Sequence, residues 1–162
     1  MKTLKTIRPI FGYDEHGNII RKENIDNIKG IYAIGIDDPI YNEDTIVKTK
    51  VGLGGLNETR EGGLLPRIRS YYIAFPDGVW EYAFLILKNR NNPKDFLRKI
   101  EKEVHQELDK LKTRYITKYT TWTRRKPEWF QISIQRLRDV FVAIKNRYPK
   151  QLEVIFPSEF EK

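Results

Sequence analysis

The chain has 162 residues, 30 Lys and Arg against 22 Asp and Glu, and no cysteine. The missing cysteine excludes disulfides, thiolate zinc sites and cysteine nucleophiles, and fits a reducing compartment. An apolar share of 40% suits one globular domain, and neither a signal-peptide core nor a run of bilayer length is present, so a soluble, intracellular protein is expected.

The net charge of +8 is unevenly placed. Residues 88–150 hold 18 Lys and Arg against 7 Asp and Glu, so the rest of the chain is slightly acidic. A concentrated basic half predicts a polyanionic partner, with nucleic acid ahead of an acidic membrane surface.

In chain order, "DEHGN" reads as a turn between two short extended pieces. "GIYAIGI" (Gly30 to Ile36) is a nearly continuous apolar run of strand length. "TIVKTKVGL" (Thr45 to Leu53) is rich in β-branched residues, and the two runs are expected to pair antiparallel. A glycine-studded loop leads to a short helix, "LLPRIRSYY", and "VWEYAFLILK" is the next strand. Asn92-Pro93 starts a helix with Phe96, Ile100, Val104, Leu108 and Leu111 on one stripe. "WFQI" is extended, and Ser133 can cap a second helix carrying Ile134, Leu137, Phe141 and Ile144. Pro149 stops that helix, and "QLEVIF" reads as a last strand.

The order of Gly30-Ile31-Tyr32, Lys50-Val51-Gly52, "LLPRIRSY", "KIEKEVHQEL" and "PEWF" resembles the GIY-YIG nuclease family. The resemblance extends to a phage and large-DNA-virus branch with Lys in the second motif and a Glu-Trp-Phe ending. It implies an α+β fold with a small antiparallel central sheet of about three strands flanked by helices. The single domain, residues 1–162, would have its core at about 29–130, a hairpin-like extension at 1–28, and a C-terminal helix and strand at 131–162.

The family implies hydrolysis of a DNA phosphodiester with one divalent metal, Mg²⁺ or Mn²⁺. Catalytic positions would be Tyr32, Lys50, Arg67, Glu101 and His105, converging on one open face. Tyr32 would orient or deprotonate the attacking water, and a phenol needs a nearby cation to do so near neutral pH. Lys50 would be that cation, or a proton relay if its own pKa is depressed. Arg67, favoured over Arg60 and Arg69 by its spacing from the leucine, would grip phosphate oxygens. Glu101 would hold the metal, since Mg²⁺ keeps most of its waters and uses one or two protein carboxylates. The family's late asparagine has no counterpart, and Glu128 or a residue of "TTWTRR" could take its place.

"KYTTWTRRKPEW" interleaves Lys118, Arg124, Arg125 and Lys126 with aromatics, as a nucleic-acid groove requires. Trp122 is the expected contact there, and Trp129, flanked by apolar residues, is expected in the core. The glycines of "KVGLGG" lack the Lys-Ser/Thr ending of a phosphate-binding loop. Two functions therefore compete. One is a metal-dependent DNA endonuclease. The other is a catalytically inactive nucleic-acid-binding or virion structural protein of a large DNA virus, with RNA an alternative ligand and virion proteins as partners.

Overall fold

The computed structural model describes residues 10–22, 28–38, 44–54, 64, 67–68, 71, 75, 79–88, 95–115 and 128–157. The first described residues form a hairpin of β1 (Ile10–Tyr13) and β2 (Ile19–Lys22). Its turn follows from "DEHGN": the Asp14 carboxylate accepts the backbone N–H groups of His16 and Asn18, each at 2.8 Å. Gly17 takes φ of 80°, which a residue without a Cβ adopts freely.

The apolar run expected to be a strand is β3 (Gly30–Gly35), buried along its whole length. It pairs antiparallel with β4 (Ile46–Gly54) on one side and β5 (Trp80–Leu87) on the other. Next comes α1 (Phe96–Lys110), which buries Leu97, Ile100, Val104 and Leu108. Each of those side chains contributes about 1.5–3 kcal/mol relative to exposure. The stripe is rotated slightly from the expected one: Leu97 is buried where Phe96 was expected, and Leu111 is 36% exposed beyond the helix. Asn92 and Pro93 lie outside the described residues.

Strand β6 (Trp129–Ser133) pairs with β4, and Ser133 caps α2 (Ile134–Arg147) by accepting from the Arg136 N–H. Ile134, Leu137, Phe141 and Ile144 are buried, and the helix ends at Tyr148, just before Pro149. The last strand, β7 (Leu152–Pro157), pairs with both β5 and β1.

The sheet is larger than expected. It has seven strands in the order β2-β1-β7-β5-β3-β4-β6, and every pairing is antiparallel. Two helices of several turns accompany it among the described residues. The expectation of about three strands flanked by helices is therefore corrected. The supposed extensions are strands of the sheet itself, because β5 and β4 would otherwise present unpaired backbone along their outer edges. The β7 strand covers β5 and carries the N-terminal hairpin with it, while β6 covers the first half of β4.

Alternation along the strands separates two apolar clusters. Ile31, Ala33, Val47, Val51, Phe130 and Ile132 face the helices α1 and α2. Tyr32, Ile34, Phe84, Ile86 and Ile155 face the other way, under Leu64 and Ile68. Leu64, Arg67, Ile68 and Tyr71 are helical, as the short helix expected at "LLPRIRSYY" requires. No helix among the described residues is long and apolar enough to cross a membrane.

Candidate active site

Tyr32 sits at the middle of β3, opposite Gly52 on β4. The pairing explains the glycine: a Cβ at position 52 would fall on the Tyr32 phenol ring and hydroxyl. Room made by Gly52 lets the ring lie along the sheet with 1% of its surface exposed. Lys50 lies on the same face of β4, two residues away and opposite Ile34.

The helical turn above this face supplies Arg67 and Tyr71, four residues apart and so on one side. The Tyr71 hydroxyl is 2.9 Å from that of Tyr32. Lys50 Nζ lies 5.1 Å from the centre of the Tyr71 ring, and Arg67 Cζ lies 5.9 Å from it. The Lys50 and Arg67 cations therefore both lie within the electrostatic reach of the tyrosine pair. Glu128, just before β6, takes the Lys50 ammonium in an ion pair of 3.0 Å.

Arginine and lysine only donate. Either hydroxyl of the Tyr32–Tyr71 pair can be the donor, because a phenol oxygen accepts as well as donates.

The electrostatics correct two expectations. Burial pushes the Tyr32 phenol well above its ordinary range; the Tyr71 hydrogen bond adds to this, and Arg67 offsets only part of it. Tyr32 is therefore a protonated phenol, not one activated by a cation. Burial works against the Lys50 ammonium, but Glu128 and Tyr71 outweigh that and raise its pKa. Lys50 is consequently a fixed cation and not a proton relay. Arg67 is held charged chiefly by Tyr71 and then by Tyr32, while remaining exposed.

Glu101 comes from α1, whose apolar stripe packs on the opposite face from Tyr32. Its carboxyl nevertheless feels Glu128, Lys50, Arg67 and Arg98. The reason lies at the edge of β4. Pairing with β6 ends at Lys50, so the next residue, Val51, turns its backbone outward. Val51 N–H donates to Glu128 O at 3.0 Å, and its carbonyl accepts from His105 Nε2 at 2.9 Å. His105 thus ties α1 to the open edge. Glu101 lies one turn earlier on the same side of the helix, close enough to that edge to feel the charges of Lys50 and Arg67. Burial and, after it, the Glu128 charge push Glu101 up to about 7.

His105 itself stands outside this polar cluster. Its ring lies 5.3 Å from that of Phe130, and burial lowers its pKa. Lys118, Trp122, Arg124, Arg125 and Lys126 lie outside the described residues. Trp129 is only half-buried, with Phe75 edge-on at 6.5 Å.

Sequence reasoning missed Tyr71. Its signal was present, one helical turn after Arg67 in "RIRSYY", where both side chains must share a face. Glu128 was noted without a partner, and no spacing rule links it to Lys50.

Glu101 and Glu128 are the carboxylates near this edge that could hold a divalent cation, with waters completing the shell of an ion such as Mg²⁺. No group of three or more His, Asp or Glu residues suited to a metal occurs among the described residues, so a closed protein cage is not formed there. Comparison of the chain with protein-family models, with curated proteins and with solved structures returns no match.

Proposed function

We propose that this protein is a metal-dependent endonuclease of GIY-YIG type that hydrolyses DNA phosphodiester bonds. The observation that supports this most is the gathering of the Glu128–Lys50 ion pair, the Tyr71–Tyr32 hydroxyl pair and Arg67 at one place, with Glu101 in their field. Phosphodiester cleavage requires an oriented water, positive charge at the phosphorus and stabilisation of the leaving oxygen. Arg67, exposed beside the tyrosine pair, would grip the scissile phosphate. Tyr71, half-open to solvent, would orient the attacking water by hydrogen bonding, with Tyr32 and Lys50 fixing its position, and the water's proton would pass to solvent. Tyr32 would support Tyr71 from beneath instead of meeting the water. Glu101, with Glu128 beside it, would hold Mg²⁺, which polarises the phosphate and steadies the leaving oxygen when bound.

A binding protein without catalysis, including a virion structural protein, is the second reading. It is favoured by the near-complete burial of Tyr32 and the occupation of Lys50 by Glu128. Plasmid nicking with and without Mg²⁺ separates the two. The nuclease reading expects Mg²⁺-dependent nicking that Glu101→Ala abolishes while DNA affinity is kept. Arg67→Ala should lower both cleavage and affinity, since its charge serves ground state and transition state alike. Salt-dependent binding with no cleavage by the unaltered chain under Mg²⁺ or Mn²⁺ would leave the binder.

A further inference from the structure

The sheet face that carries Tyr32 and Lys50 continues past them onto β4 and β6, where the described residues that cover it end at Phe75, edge-on to Trp129. Cross-strand pairs place Lys48 beside Gln131, and Lys50 beside Trp129, on that face. Lys48 and Gln131 are exposed. Tyr115 joins them at the outer edge, its N–H donating to the Trp129 carbonyl at 2.9 Å. The Lys48 ammonium lies 5.0 Å from the centre of the Tyr115 ring and makes no ion pair among the described residues. The nearby Asp37 carboxylate is engaged by the Lys48 backbone N–H at 2.7 Å. Ile36, just after β3, and Ile46, at the start of β4, add apolar surface at 50% and 62% exposure.

We propose that this open β4–β6 face binds a single-stranded stretch of DNA beside the scissile phosphate. The inference rests on the nuclease reading and names the form of substrate that site would take. A base stacks on the Tyr115 ring, Lys48 swings from the ring to the adjoining phosphate, and Ile36 and Ile46 meet sugar or base. Lys50 belongs to both regions, so the strand runs continuously from this face to Arg67 and Tyr71. The exchange at Tyr115 favours the base, because stacking on an aromatic side chain outweighs an exposed cation–π contact. Duplex DNA hides its base faces, so only an unpaired strand gains from the ring.

The test is fluorescence anisotropy with a labelled oligothymidine and a duplex of equal length, in chelator so that nothing is cut. Tyr115→Leu should weaken oligothymidine binding about tenfold while leaving duplex affinity unchanged. Lys48→Ala, on an exposed strand position that folding does not need, should reduce the single-strand salt slope by about 0.7. Unchanged oligothymidine affinity in both variants overturns the proposal, as does equal weakening on duplex. Nicking is measured separately on the same proteins. A chain that cuts DNA but ignores both substitutions refutes this face and keeps the nuclease. One that binds through Tyr115 and Lys48 yet never cuts does the reverse.

Discussion

The hydroxyls of Tyr32 and Tyr71 lie 2.9 Å apart, the first sealed within the sheet and the second half-open to solvent. In the nuclease reading the pair would divide two tasks between an exposed and a buried phenol. Tyr71 can reach water, and Tyr32 can only reach Tyr71 and Arg67.

Removing each hydroxyl in turn tests this division. Tyr71→Phe should reduce nicking by roughly 10²-fold, the order expected when a reacting group loses its positioning, with DNA affinity intact. Tyr32→Phe should reduce nicking less and should cost about 1 kcal/mol of stability, since it removes a buried hydrogen bond. Urea denaturation alongside nicking rates checks both. A larger catalytic loss from Tyr32→Phe would reverse the assignment.

The Glu101 carboxyl ties stability to pH. Its pKa rises from 4.5 to about 7 in the folded chain. Between these values the folded state binds more protons than the unfolded state, so stability falls as pH rises. The contribution is fully present below pH 4.5 and is lost as pH passes about 7. Glu101→Gln should therefore flatten urea midpoints across this window and leave the variant the more stable form at about pH 8. Metal binding needs the carboxylate, so wild-type nicking should rise through the same interval. Glu128→Gln removes the second-largest cause of the shift, and the rise should move to lower pH.

Gly52 holds open the space that the Tyr32 phenol fills. Gly52→Ala should cost about 1–3 kcal/mol as an overpacked core position. It should also impair nicking, because the hydroxyl must shift from Tyr71 when the ring moves. Melting curves and nicking rates should fall together; a variant as stable and active as wild type would show that the ring has freedom to yield.

The bond of His105 to the Val51 carbonyl would suit it to a positioning role, since it holds α1 at the β4 edge, and with it Glu101. His105→Ala should lose about 1 kcal/mol of stability, and lower nicking without changing the shape of the pH–rate profile. His105→Gln, which can still donate to that carbonyl, should recover most of the rate. Loss of one limb of the profile would instead assign His105 a proton-transfer role.

Local features were legible in the sequence because their causes are local. The Asp14–Gly17 turn, the Ser133 cap and the β3–β4 pairing each follow from neighbouring side chains. Sheet size was not legible. Strands as short as β1, β2 and β7 take their identity from distant partners, and residues 152–157 carry no sign that they will lie between Ile10–Tyr13 and Trp80–Leu87. At the site, the spacing from Arg67 to Tyr71 was readable, whereas the burial that raises the Tyr32 pKa depends on packing from β4 and the helical turn. The Lys50–Glu128 pair joins residues far apart in the chain, so its effect on Lys50 had no sequence signature.

The placement of β7 between β1 and β5 sets an order on biosynthesis. The hairpin of Ile10–Lys22 is made well before Leu152–Pro157, the strand that joins it to the sheet. At about 5–20 residues per second, the hairpin waits on the order of 10 s for its partner. During that interval the edges of β1 and β5 that β7 will occupy lack their partner, and both can recruit a strand from another nascent chain. Yield from a cell should therefore depend on chaperones that shield strand edges more than on the final stability of the fold.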